Sequence, residues 1–175
     1  AVLSAAYAVK LREVGPVVYL RGLFELSNLC SKDCRYCGIR RSNGKVERYT
    51  MPVDEVLEGA RWAYDQGYGS VVLQSGERSD AKFVDMITDL VTKIHALSDN
   101  QLAITLSLGE QSEETYRTWF AAGAERYLLR IETSDPELYA RLHPPDHSWE
   151  RRRDCLRLLH GLGYQLGSGV MIGLP

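Results

Sequence analysis

The chain has 175 residues, 45% of them apolar, and a formal net charge of -2, values in the range of one ordinary soluble globular domain. Its longest apolar runs, such as Val71-Val72-Leu73, fall far short of the roughly 20 residues that cross a bilayer, and no charged-then-apolar leader opens the chain, so a cytoplasmic location is expected. A charge near zero also argues against a nucleic-acid surface, which needs a strong basic excess to displace counterions from phosphate.

In chain order, Val17-Val18-Tyr19-Leu20 running into Leu23-Phe24-Glu25-Leu26 predicts a first buried strand, which delivers the chain to Cys30, Cys34 and Cys37. Pro52 followed by Asp54 and Glu55 marks a helix start, and Gly67 marks its stop. Gly69 to Gln74 reads as the second strand, with Ser75-Gly76-Glu77 at its carboxyl end. Then follow a helix over Phe83 to Leu97, a strand over Leu102 to Leu106, a helix over Glu113 to Ala122 and a strand over Arg126 to Ile131. Ser148 caps a helix to about His160, and Tyr164 to Ile172 is the last strand.

Strands that alternate with helices predict an α/β fold with a parallel sheet, its helices stacked on the outer face by right-handed crossovers. In such sheets chemistry collects at the carboxyl ends of the strands. The cysteine loop, Ser75-Gly76-Glu77, Ser107-Leu108-Gly109-Glu110 and Glu132 all fall there. A closed barrel needs more strands than these five to cover its sheet edges. Residues 1–175 are therefore expected to form the N-terminal part of a single barrel domain of the TIM type, a partial barrel of about five βα units.

The cysteine spacing is C-x3-C-x2-C, with Tyr36 just before the last cysteine. Three cysteines this close are too tight for a secreted disulfide framework and typical of metal ligation in a reducing compartment. A tight loop can place three thiolates on three corners of a cubane, and with no fourth protein ligand one iron stays open. The alternative, a closed zinc site, needs four ligands at regular spacing, and no His or further Cys lies near this loop. The loop resembles the signature of the radical S-adenosylmethionine superfamily. The resemblance implies a 4Fe-4S cluster on Cys30, Cys34 and Cys37 whose open iron binds the amino and carboxylate groups of S-adenosylmethionine. It also implies reductive cleavage of that cofactor to methionine and a 5'-deoxyadenosyl radical.

The same resemblance suggests further cofactor contacts. Ser75-Gly76-Glu77 is similar to the superfamily's Gly-Gly-Glu motif, with serine in place of the first glycine. Gly76 would let the backbone approach a ligand, and Glu77 would accept a charge-assisted hydrogen bond from the methionine ammonium. Ser107 could add a hydrogen bond. Glu132 could meet the ribose or the sulfonium region; its structural alternative is a salt bridge to Arg130 or Arg152. Cations at a helix N-terminus oppose the macrodipole, which marks Arg152 as a candidate for the cofactor carboxylate, while Arg151 and Arg153 also read as a solvated basic turn. Tyr36 completes the cofactor set. Between Lys32 and Arg48 six cations (Lys32, Arg35, Arg40, Arg41, Lys45, Arg48) face two anions (Asp33, Glu47), a local excess that would dock an acidic electron donor such as a flavodoxin or ferredoxin or simply form a solvated face. Cys155, among Leu156, Leu158 and Leu159, reads as a small core residue. His143 and His147 bracket a Pro-Pro turn and read as loop-shaping residues.

Within the superfamily, five strings resemble the FeFe-hydrogenase maturases of the HydE type: Tyr19-Leu20-Arg21-Gly22, Cys37-Gly38-Ile39-Arg40-Arg41, Val72-Leu73-Gln74-Ser75-Gly76-Glu77, Thr105-Leu106-Ser107-Leu108-Gly109-Glu110 and Tyr127-Leu128-Leu129-Arg130-Ile131-Glu132-Thr133. That likeness implies work on a small iron-bearing or sulfur-containing precursor of the di-iron subcluster of the hydrogenase H-cluster, alongside the other maturases. Biotin synthase shares the cysteine spacing but needs further inward cysteines, which the later strands here lack. Methylornithine synthase needs none, and Gln74-Ser75-Gly76-Glu77 favours the maturase over it. The non-enzyme alternative is an iron-sulfur scaffold, which would hold a cluster without cleaving the cofactor.

Overall fold

The computed structural model describes residues 2–174. Its order is α1 (Val2–Glu13), β1 (Gly22–Ser27), α2 (Val53–Asp65), β2 (Ser70–Ser75), α3 (Ala81–Leu97), β3 (Ala103–Ser107), α4 (Glu113–Ala121), β4 (Arg126–Leu128), α5 (Pro136–Leu142), α6 (Trp149–Gly161) and β5 (Gln165–Gly167). The five strands form one parallel sheet in sequence order, as the alternation predicts. No helix among the described residues is long and apolar enough to cross a membrane.

Register decides which side of the sheet each residue takes. Leu23 pairs with Val72 and Val72 with Thr105, while Glu25 pairs with Gln74 and Gln74 with Ser107. These residues therefore share one face, and it stays open: Leu23 and Glu25 are exposed, and Val72, Gln74 and Ser107 are half-buried. The other face carries Val71, Leu73, Ile104, Leu106 and Tyr127, all buried with Phe83, Ile87, Leu90 and Trp119 of the helices. Each aliphatic side chain sealed there contributes about 1.5–3 kcal/mol, so the outer layer holds the fold and leaves the inner face free for polar residues.

The helices begin where the sequence has caps. Asp80, Ser112 and Ser148 each accept a backbone N–H from the first turn, at Phe83, Thr115 and Arg151, contacts typically worth about 1 kcal/mol each.

Several boundaries differ from the sequence reading. β1 starts at Gly22 rather than Val17, because β2 offers its first partner, Val71, opposite Gly22; Val17 to Leu20 lie exposed outside the sheet. β4 and β5 are shorter than predicted. Glu132 has φ +68, which no ladder residue adopts, so pairing after Leu128 survives only as single contacts: Leu129 N–H to the Gly167 carbonyl (3.0 Å), Glu132 N–H to that of Gly169 (3.1 Å) and Met171 N–H to that of Glu132 (2.9 Å). Helix α1 was not anticipated; it buries no residue, so it carries no amphipathic signal. Helix α5 was also missed, although Asp135 caps it and Pro136 opens it, a start signal in a stretch too short to show periodicity.

Candidate active site

The carboxyl ends of the strands converge on a cavity of about 230 Å³ lined by Cys37, Ser75, Glu77, Ser107, Glu132 and Arg152, with Glu25, Gln74 and Arg130 at its border. Five of the seven expected cofactor contacts thus share one cavity with one cluster cysteine. A larger cleft of about 570 Å³ lies at the opposite end of the sheet, around His95, Leu102 and Gly123, and contains none of them.

Tyr36 and Gly76 fall outside that lining. Tyr36 places its hydroxyl 3.1 Å from Nε2 of His143, with the two rings edge to face. Gly76 is buried. A Cβ there would meet the Leu29 carbonyl oxygen and stand 2.8 Å from Cys30 Cβ. Glycine is therefore needed where β2 presses against the cysteine loop. The contact is reinforced on both sides: Gly76 N–H donates to the Ser27 carbonyl (2.9 Å) and Ser31 N–H to the Glu77 carbonyl (2.8 Å), while Glu77 N–H points at Cys30 Sγ (3.3 Å).

The cysteine loop is anchored from three more directions. The Arg48 guanidinium donates to the carbonyls of Asn28 (2.6 Å), Ile39 (2.8 Å), Arg40 (2.8 Å) and Asn43 (3.2 Å). His147, buried, accepts the Asp33 N–H on Nε2 (3.0 Å). His143 engages the Tyr139 carbonyl through Nδ1 (2.8 Å), which makes Nδ1 the donor and leaves Nε2 to accept from Tyr36. Both histidines therefore brace the cysteine loop, whereas the sequence reading has them shaping their own Pro-Pro loop, and His147 Nδ1 lies 2.9 Å from Asp146. The basic cluster is smaller than its sequence count. Arg48 is turned into the loop, and Lys32 lies 3.1 Å from Glu110 and 3.4 Å from Glu77. Arg35, Arg41 and Lys45 remain as exposed cations.

Glu110, which sequence reasoning did not single out, lies at the centre of the charged groups. It is 4% exposed and receives Arg152 Nε (2.7 Å), Arg151 Nε (3.2 Å) and Lys32 Nζ (3.1 Å). Its backbone N–H donates to Glu77 Oε2 at 2.8 Å. Gly109 makes that contact possible, since its φ is +77 and a Cβ there would collide with the Glu77 side chain. Burial by itself would raise the Glu110 carboxyl, but Arg152, Lys32 and Arg151 hold it below the ordinary carboxylate value. Burial wins at Glu77, whose carboxyl is raised despite Lys32. At Glu132 burial likewise raises the carboxyl against the pull of Arg152 and Arg130. Glu132 forms no ion pair among the described residues; Arg152 is committed to Glu110 instead. A buried carboxylate with no cation bound to it, on a residue of positive φ, keeps Glu132 a candidate for ligand contact.

The loop suits an iron-sulfur cluster. Burial pushes the Cys34 thiol up to about 11, with the neighbouring thiols of Cys30 and Cys37 adding to the rise, and thiols bind metal as thiolates. The N–H directed at Cys30 Sγ is of the kind that tunes cluster sulfur. No three His, Cys, Asp or Glu side chains among the described residues are grouped as ligands of a single ion, and the two nearby histidines are already engaged. Cys155 is buried within the core, apart from this loop.

Comparison with known proteins agrees with this geometry. The family model of the Radical SAM superfamily matches residues 24–175. The [FeFe] hydrogenase maturase subunit HydE of Thermotoga maritima is 45% identical over the whole chain, which covers 49% of that protein. A biotin synthase of Magnetococcus marinus is 31% identical over 98% of the chain and 54% of its own length. Among solved structures, methylornithine synthase (PylB) superimposes with a TM-score of 0.87 at 26% identity, over 98% of this chain and 50% of that one. The chain spans about half the length of these relatives. The three-cysteine loop, the strand order and the match from Phe24 onward make the chain a member of the radical SAM superfamily, whose enzymes work with a 4Fe-4S cluster and S-adenosylmethionine.

Proposed function

We propose that this chain is the cofactor-binding part of a radical SAM enzyme that acts in assembly of the di-iron subcluster of the FeFe-hydrogenase H-cluster. The observation that carries the cofactor reading is the single cavity uniting Cys37 with Ser75, Glu77, Ser107, Glu132 and Arg152. Cys30, Cys34 and Cys37 would hold the cluster. When bound, cluster and cofactor together supply an electron to the sulfonium and so a 5'-deoxyadenosyl radical; the organic chemistry is theirs and the positioning is the protein's. Glu77 accepts the methionine ammonium, and Arg152, with Nε tied to Glu110 and Nη1 3.4 Å from the Arg130 carbonyl, offers Nη2 to the carboxylate. Ser75 and Ser107 supply hydroxyls on the sheet side, and unpaired Glu132 faces the ribose or sulfonium. Tyr36 stays at the border of the site, fixed by His143.

The maturase assignment is supported by 45% identity along the full chain, against 31% for the biotin synthase, and by the lack of cysteine in β3, β4 and β5. The small iron or sulfur precursor would sit over the open inner face near Glu25 and Gln74. Arg35, Arg41 and Lys45 form the side on which a flavodoxin or ferredoxin would dock. The test is anaerobic reconstitution of the intact protein with iron and sulfide, reduction with dithionite, and measurement of 5'-deoxyadenosine from S-adenosylmethionine. Release that disappears in Cys34→Ser is the expected result. A loaded, reduced cluster that binds the cofactor without cleaving it would leave a scaffold.

A further inference from the structure

We infer that Glu110 is a positioning residue that presets both ends of the methionine-binding site, aiming Arg152 at the cofactor carboxylate and sharing Lys32 with Glu77 so that Lys32 does not pair with Glu77 alone. The inference rests on the cofactor reading above. Glu110 itself does not line the cavity, whereas its neighbours Glu77 and Arg152 do. Its side chain is buried and receives three cations, from the cysteine loop and from α6. Its two oxygens divide them: Oε1 takes Arg152 Nε at 2.7 Å, and Oε2 takes Lys32 and Arg151.

This division has a chemical consequence. An arginine held through Nε, with Nη1 also 3.4 Å from the Arg130 carbonyl, presents Nη2 to a carboxylate in one orientation. Lys32 reaches two carboxylates, at 3.1 Å for Glu110 and 3.4 Å for Glu77. If Glu110 loses its charge, Lys32 has only Glu77 to pair with, and its hold on Oε1, the oxygen the cofactor ammonium would use, tightens. The Glu110 N–H is a third link, since it occupies Glu77 Oε2 and leaves Oε1, which Lys32 approaches at 3.4 Å, as the oxygen to be shared with the ammonium. A residue with only a structural role would hold α6 to the sheet and leave this competition unchanged.

The test uses the intact protein, anaerobically reconstituted, as wild type, Glu110→Gln, Lys32→Met and the double variant. Cluster content is read as iron and sulfide per chain, S-adenosylmethionine affinity by calorimetry, and cofactor contact by the change it causes in the EPR signal of the reduced cluster. Glu110→Gln is expected to bind the cofactor about tenfold more weakly per loaded cluster, the low end of what losing a partner of a ligand-orienting group costs. Its EPR response to saturating cofactor is expected to differ from wild type. Adding Lys32→Met should recover a good part of the lost affinity, because the competitor is gone. Wild-type affinity per cluster in Glu110→Gln overturns the inference, as does a loss that Lys32→Met leaves untouched. If Glu110→Gln takes up no cluster, Lys32→Met alone decides: it must bind the cofactor at least as tightly as wild type, and weaker binding overturns the inference. A wild-type protein that loads a cluster yet binds no cofactor sinks the underlying cofactor reading instead.

Discussion

Replacing Gly76 with alanine puts a methyl carbon 2.8 Å from Cys30 Cβ and closer still to the Leu29 carbonyl oxygen. Contact distances of that kind begin at 3.4 Å, and neither neighbour can turn aside, since one is backbone and the other the first atom of its side chain. The cysteine loop must therefore move away from β2 by about 1 Å, a distance over which a packed contact gains or loses much of its energy. Overpacking of this sort costs about 1–3 kcal/mol, and for a chain of 150–250 residues each kcal/mol shifts Tm by roughly 2–4 °C. The Glu77 N–H bond to Cys30 Sγ lengthens with the same movement. Gly76→Ala should lower the Tm of the apo-protein by roughly 5 °C in a scan followed by circular dichroism, and reconstitution should leave it with less iron than wild type. An unchanged Tm with full iron and a defect confined to cofactor binding would refute the packing argument and favour a ligand-approach role.

The remaining predictions concern the loop and the charged groups. Serine at Cys30, Cys34 or Cys37 should abolish the cluster absorbance, whereas Cys155→Ala should keep it and cost about 1 kcal/mol in urea unfolding, the common scale of a single substitution. Because burial holds the Cys34 thiol near 11 and ligands bind as thiolates, the rate of cluster loading should rise with pH from 7 to 9. Arg48→Ala strips a donor from four carbonyls and should open the segment between Gly38 and Gly44 to limited proteolysis; Arg48→Lys should not restore protection, since one ammonium cannot span all four. Glu110, held below its ordinary value, contributes stability that is full above about pH 4.5 and lost as pH falls through its folded value, while Glu77, raised, costs stability as pH rises above about 4.5. Urea midpoints between about pH 3 and 6 should accordingly show a shallower acid loss in Glu110→Gln and a smaller decline above pH 4.5 in Glu77→Gln.

Much of this was legible in the sequence because the relevant signals are local. Apolar strand runs such as Val71-Val72-Leu73, the helix cap at Ser148, and three cysteines within eight residues each declare themselves over a short stretch of chain. What escaped is non-local. Glu110 looks like any polar residue after a strand until α6 brings two arginines to it from 41 and 42 residues away. Arg48 counted as one more surface cation because nothing in its neighbourhood tells that its guanidinium turns back onto Asn28. Gly76 reads in the sequence as making room for a ligand; that it makes room for Cys30 depends on a contact between chain segments 47 residues apart at Glu77. The lengths of β4 and β5 were overestimated because β-branched and apolar residues continue past the point where the positive φ of Glu132 ends the ladder.

The posts that steady the cysteine loop come late in the chain. Asp33 leans on His147, 114 residues downstream, and Tyr36 on His143, 107 residues downstream. During synthesis at about 5–20 residues per second, the three thiols would leave the ribosome some 5–20 seconds before the residues that fix their geometry. Throughout that interval they are flexible ligands of an unfinished pocket, open to any soft metal. Selective loading with a cubane therefore belongs to the period after α5 and α6 have docked, and early exposure to zinc or copper competes with it.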